Sequence, residues 1–132
     1  MIVDTSAIVA ILRREPDWRV YSQAIEADKN SSISAVSYLE TSIVIDSKRD
    51  AATSQALDRL IESGRIEIEP FSFEQARIAR QAYRDYGRGS GHPANLNFGD
   101  CFSYALARVK REPILFKGDD FSQTDLRSAV EA

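Results

Sequence analysis

The chain has 132 residues, a formal net charge of −3, one cysteine and one histidine. Those totals fit one domain over residues 1–132 with a real core, and they exclude an internal disulfide framework or a His/Cys zinc cage. The 43% apolar and 28% charged residues suit a globular protein with no membrane-length stretch, and the negative balance argues against non-specific wrapping of nucleic acid.

The opening run Met1-Ile2-Val3-Asp4-Thr5-Ser6-Ala7-Ile8 reads as a short β-branched strand that delivers a carboxylate to its C-terminal edge, where open α/β sheets place ligands. Asp4 is also explained as a cap for the helix that follows, because short polar side chains accept backbone N–H groups there. No basic or apolar leader precedes this strand, so an intracellular, cytoplasmic location is expected. A short helix over Ala7 to Leu12 is stopped by Arg13-Arg14-Glu15-Pro16. A second begins near Trp18, with Tyr21 and Ile25 at helical spacing, and ends near Asp28-Lys29-Asn30. Ser31 to Ser34 is a weak strand around Ile33, and Ser34 is placed to cap the next helix.

That helix, Ala35 to Lys48, carries Glu40 between Val36, Ile43 and Val44, so the spacing predicts a carboxylate within an apolar stripe. Burying an unpartnered charge costs several kcal/mol, roughly, so Glu40 either reaches solvent at the stripe's border or has a partner. Ala51 to Ser63 forms a helix stopped by Gly64, followed by a strand through Ile66 and Ile68 to Phe71. Ser72-Phe73-Glu74-Gln75 has the spacing of a capping box and opens a helix to about Tyr86.

Arg77, Arg80 and Arg84 share one face of this helix. The face reads either as solvated surface or as a stripe that contacts phosphates. Gly87 to Asn95 is a glycine-rich loop that lacks the flanking pattern of a phosphate-cradling loop; it reads as a flap with Arg88 and His92, the latter an exposed loop histidine. After Gly99, small and apolar residues predict a buried helix with Asp100 in its first turn, where an acid gains about 0.3–1 kcal/mol from the helix dipole. Cys101 reads as an inert core thiol. Pro113-Ile114-Leu115-Phe116 is a buried strand that ends in Lys117-Gly118-Asp119-Asp120, a second strand with acids at its carboxyl end.

If these acids converge, two like charges about 4 Å apart repel by roughly 4 kcal/mol at an effective dielectric near 20. Protons or a hard cation must then offset them, and oxygen-only ligands suit Mg²⁺ or Mn²⁺. A carboxylate-held divalent cation with bound water is a standard device for in-line attack on phosphodiesters.

"IVDTSAI", "SYLETSIV", "NFGDCFSYALA" and "PILFKGDDFSQTDL", in this order, resemble the PIN-domain ribonuclease toxins of the VapC type, the toxins of VapBC toxin–antitoxin systems. The resemblance covers essentially the whole chain. It implies a Rossmann-like α/β/α sandwich with a mostly parallel central sheet, Mg²⁺-dependent endoribonuclease activity, an RNA substrate, neutralisation by a VapB-like antitoxin and a homodimer. Residue by residue, it implies that Asp4 and Asp100 hold the metal and that Glu40 completes the cluster by binding it or orienting water. The fourth acid falls on Asp119 or Asp120; Asp119 is favoured as an outer metal group, with Asp120 shaping the turn. Apolar grooves near the first helices are the expected antitoxin surface.

Two readings of other classes compete. A receiver-type signalling domain also gathers acids at strand ends around Mg²⁺, but this chain lacks an acidic pair beside Asp4. A metal-free interaction module would use the same acids only as caps.

Overall fold

The computed structural model describes residues 1–130. Its strands are short, and three of the four are apolar or small on both sides because they are buried on both faces. Strands β1 (Ile2–Val3), β2 (Ser32–Ser34), β3 (Glu67–Glu69) and β4 (Ile114–Leu115) form a parallel sheet in the spatial order β3-β2-β1-β4. Ile2 stands opposite Ser32 on one side and Ile114 on the other, and Val3 stands opposite Leu115.

Alternation along these strands divides the core in two. Val3, Ile33 and Leu115 point to one face, against helices α1 (Thr5–Leu12), α2 (Trp18–Ala27), α3 (Ala35–Asp46) and α4 (Ala51–Ser63) through Ile8, Ile25, Ile45 and Leu57. Ile2 and Ile114 point to the other, against α5 (Phe73–Tyr86) and α6 (Asp100–Lys110) through Ala82, Tyr104 and Leu106. The result is the expected α/β/α sandwich, here with an entirely parallel sheet. No helix among the described residues is long and apolar enough to cross a membrane.

The helix starts follow the sequence. Asp4, Ser34, Asp50 and Ser72 each accept a backbone N–H from the first turn of the helix they precede. The first helix begins at Thr5, two residues earlier than its apolar pattern suggests, because Asp4 is its cap.

One expectation is corrected. The buried face of α3 is Ser37, Thr41 and Ile45, whereas Leu39 and Ile43 are 56% and 60% exposed. Ser37 and Thr41 turn inward because they have hydrogen-bond partners there, so Glu40 does not lie in a buried apolar stripe. Ile68 is likewise exposed, since β3 is an edge strand. The opposite edge is partly covered: the Ile114 N–H donates to the Arg127 carbonyl, and the Ala129 N–H donates to the Ile114 carbonyl.

Candidate active site

Because all four strands run the same way, β1 and β4 release their chains at one edge of the sheet. There Asp4, Thr5, Ser6, Glu15, Glu40, Asn97, Asp100, Lys117 and Asp120 line one cleft. Its volume is about 390 Å³, room for a hydrated ion and a phosphate group, given roughly 30 Å³ per water.

Asp4 is buried and held from three directions. Its Oδ2 accepts from the Ser6 N–H at 3.0 Å and the Ser6 hydroxyl at 2.7 Å, and its Oδ1 accepts from the Ser103 hydroxyl at 2.5 Å. The Ser6 hydroxyl in turn accepts from the Lys117 N–H at 2.9 Å, which ties the end of β4 to the end of β1. A carboxylate has about four acceptor positions. Three donors leave one direction open, and Asp4 borders the cleft.

Asp100 is fixed by reciprocal capping with Asn97. The Asp100 N–H donates to Asn97 Oδ1 at 2.8 Å, and the Asn97 N–H donates to Asp100 Oδ2 at 3.0 Å. This is the capping-box arrangement with Asn and Asp in place of Ser/Thr and Glu/Gln. Burial, followed by the charge of Asp4 and the neighbouring Asp120 carboxyl, pushes the Asp100 pKa up to about 7, against the pull of the Asn97 N–H. Asp100, Asp4 and Asp120 are therefore close enough to feel one another's charge.

Glu40 reaches the cleft from α3. Its Oε1 accepts from the Thr5 hydroxyl at 2.8 Å, and its carboxylate packs against Gly99, where a Cβ would collide with it. Gly99 is thus required by close approach rather than by a turn. Beneath the acids lies a layer of hydroxyls. The Ser37 hydroxyl stands 3.2 Å from that of Ser103, and the Thr41 hydroxyl stands 2.9 Å from Thr5 Oγ1 and donates to the Ser37 carbonyl at 2.7 Å. Sequence reasoning missed Ser37, Thr41 and Ser103. Their signal was the i, i+4 spacing of Ser37 and Thr41, which a search for apolar periodicity passes over.

Of the adjacent pair, Asp120 lines the cleft beside Asp100. Asp119 is exposed, is not among the cleft residues, and uses its carbonyl to accept from the Ser122 hydroxyl. Of the two acids expected at the fourth position, Asp120 is brought to the cleft and Asp119 is not, although both are exposed. Asp120 opens the 3₁₀ turn Phe121–Gln123, and the buried Phe121 anchors that turn in the core.

The remaining candidates lie elsewhere. His92 is partly buried, not exposed. Its Nδ1 accepts from the Ala94 N–H, its ring packs edge-on against Tyr86, and it is not a cleft residue. The glycine-rich loop around it is tied down by the Arg88 N–H to the Leu96 carbonyl and the Leu96 N–H to the Tyr86 carbonyl. Cys101 is buried, and burial pushes its thiol up to about 11, as an inert core thiol requires. Arg77, Arg80 and Arg84 are exposed on α5. Arg80 and Arg84 flank an apolar groove floored by Phe71, Ala79, Phe98 and Phe102.

The donor set suits a hard cation. Among the described residues, no group of three or more His, Cys, Asp or Glu side chains could hold a metal ion by itself. Mg²⁺ does not need one: it usually takes one or two carboxylates and keeps several waters. Asp4 and Asp100 are the two carboxylates that could hold such an ion, and a cation between them would offset both the burial and the repulsion that raise Asp100.

The PIN domain family model matches residues 1–126. The ribonuclease VapC28 of Mycobacterium tuberculosis is 56% identical over 131 residues, 99% of this chain and 98% of that protein. Two solved structures share the fold. The M. tuberculosis toxin VapC20 superposes with a TM-score of 0.72 at 18% identity, covering 95% of each chain. A toxin–antitoxin complex from Klebsiella pneumoniae gives a TM-score of 0.71 at 19% identity, covering 99% of this chain and 98% of that one.

A carboxyl whose pKa is raised on folding favours the folded state only while protonated. The contribution of Asp100 is full below its ordinary value of 3.8 and is lost as pH rises through about 7. The metal-free Asp100→Asn protein is therefore expected to unfold at a higher temperature than the parent at pH 8, by the equivalent of roughly 1–3 kcal/mol. The difference vanishes near pH 4, and thermal melts at both pH values check it.

Proposed function

Since the chain belongs to the PIN-domain family and, within it, to the VapC ribonucleases, we propose that Asp4, Glu40, Asp100 and Asp120 form its catalytic centre for hydrolysing RNA phosphodiester bonds. The observation that carries this reading is the meeting of these four acids in one cleft at the carboxyl edge of a parallel sheet. The family's ribonucleases use a divalent metal. We assign Mg²⁺, with Mn²⁺ as a substitute, to Asp4 and Asp100. When bound there, the ion neutralises charge on the phosphate and lowers the pKa of a water.

The chain's own groups do the remaining work. Ser6 and Ser103 hold the Asp4 carboxylate at a fixed angle, and Asn97 does the same for Asp100. The Thr5 hydroxyl donates to Glu40 Oε1 and Gly99 packs against Oε2, so the carboxylate to which we assign the orienting of the attacking water is held in place. Asp120 shares its surroundings with Asp100 and acts as the outer acid, the role expected of Asp119.

RNA is the substrate by this reading, and a VapB-like antitoxin is the partner that silences the enzyme. The toxin–antitoxin complex from K. pneumoniae supports such a partner through its fold alone. We also propose a homodimer. Leu39 and Ile43, near Glu40 on α3, and Phe98, next to Gly99, are 56%, 60% and 76% exposed, large apolar side chains of the kind that a self-complementary contact would cover.

Asp4→Asn and Asp100→Asn are expected to lower cleavage of an RNA oligonucleotide in Mg²⁺ at least about 100-fold, and Ser103→Ala about 10–100-fold, as changes around metal ligands do. Asp120→Asn should fall with the first group, whereas Asp119→Asn stays within about twofold of the parent. Full activity in Asp4→Asn and Asp100→Asn would rule the site out. For the dimer, Ile43→Asp with Phe98→Asp is expected to halve the mass measured by sedimentation equilibrium. A monomeric parent would remove that proposal.

A further inference from the structure

An acidic cleft that handles a polyanion needs some positive charge of its own. Among the residues lining it, Lys117 is the one basic side chain. It directly follows β4 and Phe116. Its backbone N–H is one hydrogen bond removed from the Asp4 carboxylate through Ser6, so its position is coupled to the centre of the site. Its ammonium, however, is turned toward the α1–α2 connection. Nζ stands 2.6 Å from Glu15 Oε1 and 2.9 Å from Asp17 Oδ1. The hydrogen bonds that the ammonium donates to these two carboxylates hold the Lys117 pKa above its ordinary value, so it stays cationic at any working pH.

Two features make this arrangement more than a surface tie. Glu15 is itself a cleft residue. All three side chains are about a third exposed, at 35%, 31% and 40%, and ion pairs with that exposure contribute little and exchange readily. The other acids that line the cleft are Asp4, Glu40, Asp100 and Asp120, and an ammonium paired with them would compete with a divalent cation; Glu15 and Asp17 engage it instead.

We propose that Lys117 is a substrate-positioning residue: it leaves Glu15 and Asp17 to grip an RNA phosphate next to the scissile bond, and the two acids park it between turnovers. The inference rests on the ribonuclease reading for its substrate. A lysine suits this task as a point charge on a flexible stem that moves from carboxylates to phosphate without a fixed fork geometry. It also gives the site a contact that depends on the substrate backbone and not on base identity.

The test uses the full chain and a fluorescein-labelled single-stranded RNA oligonucleotide. Steady-state cleavage is measured in Mg²⁺, and binding by anisotropy in EDTA, each over a series of salt concentrations. Lys117→Met is expected to raise KM and Kd about tenfold with kcat within about twofold. It should also flatten the slope of log Kd against log salt by about 0.7, the value for one lost contact to a single strand. Lys117→Arg should recover most of the loss. Glu15→Gln with Asp17→Asn should move the other way and lower KM and Kd severalfold, because the ammonium is no longer held back.

Unchanged binding and salt slope in Lys117→Met would overturn the inference. So would weaker binding in the Glu15→Gln, Asp17→Asn protein, which would mark the three residues as a structural tie. Absence of cleavage by the parent protein would defeat the ribonuclease reading alone, and the anisotropy slopes would still decide the role of Lys117.

Discussion

The structure depends on keeping like charges together. Asp4, Asp100 and Asp120 share one hollow, and burial together with their mutual repulsion raises the Asp100 pKa to about 7. A parallel sheet accepts this geometry because β1 and β4 are neighbours that end at the same edge. Two strand ends and the start of α6 then reach one place, the last by way of the glycine-rich connection after Tyr86. Asp4, Glu40 and Asp100 are each held by donors of their own, and no basic residue is paired with them among the described residues. A permanent partner would lower the charge cost but would occupy the ligand direction.

Capping and chemistry are not alternatives here. Asp4 accepts from the first turn of α1, and Asp100 exchanges hydrogen bonds with Asn97 at the start of α6. Each uses only part of its acceptor capacity for the helix and turns the rest to the cleft. The helix start supplies what an acid proposed to hold a metal would need, a carboxylate whose rotamer is fixed by backbone donors. Removing either acid would therefore disturb a helix end as well as the site, and activity loss alone does not separate the two effects. Melting behaviour against pH does, because a cap lost and a charge relieved change stability in opposite directions.

Asp4 and Asp100 are legible in the sequence because strand ends and helix starts carry local signals: a β-branched run before one, and a glycine with a long small-residue helix after the other. Glu40 is legible as an anomaly, but its surroundings are not. Apolar periodicity placed Val36, Ile43 and Val44 around it in the core, whereas α3 buries Ser37 and Thr41. A hydroxyl with a satisfied partner can be buried as readily as a methyl, and the partners, Ser103 and Thr5, are distant in sequence. Which of Asp119 and Asp120 lines the cleft was not legible for a related reason. Adjacent residues in a turn point in different directions, and the anchor that sets the turn, buried Phe121, acts through the core and not through local pattern.

The hydroxyl layer explains why the acids tolerate their position. Ser6, Ser103 and Thr5 each donate to a carboxylate oxygen while Ser37 and Thr41 hold the donors from below. Neutral dipoles of this kind stabilise negative charge without cancelling it. A cation arriving in the cleft meets oriented oxygens and displaces no resident positive charge from them. An apolar layer in the same place would leave Asp4 desolvated and unsupported, and a basic layer would neutralise the site. Hydroxyls lie between those limits, which ties the polar floor of this cleft to the charge that the reaction requires above it.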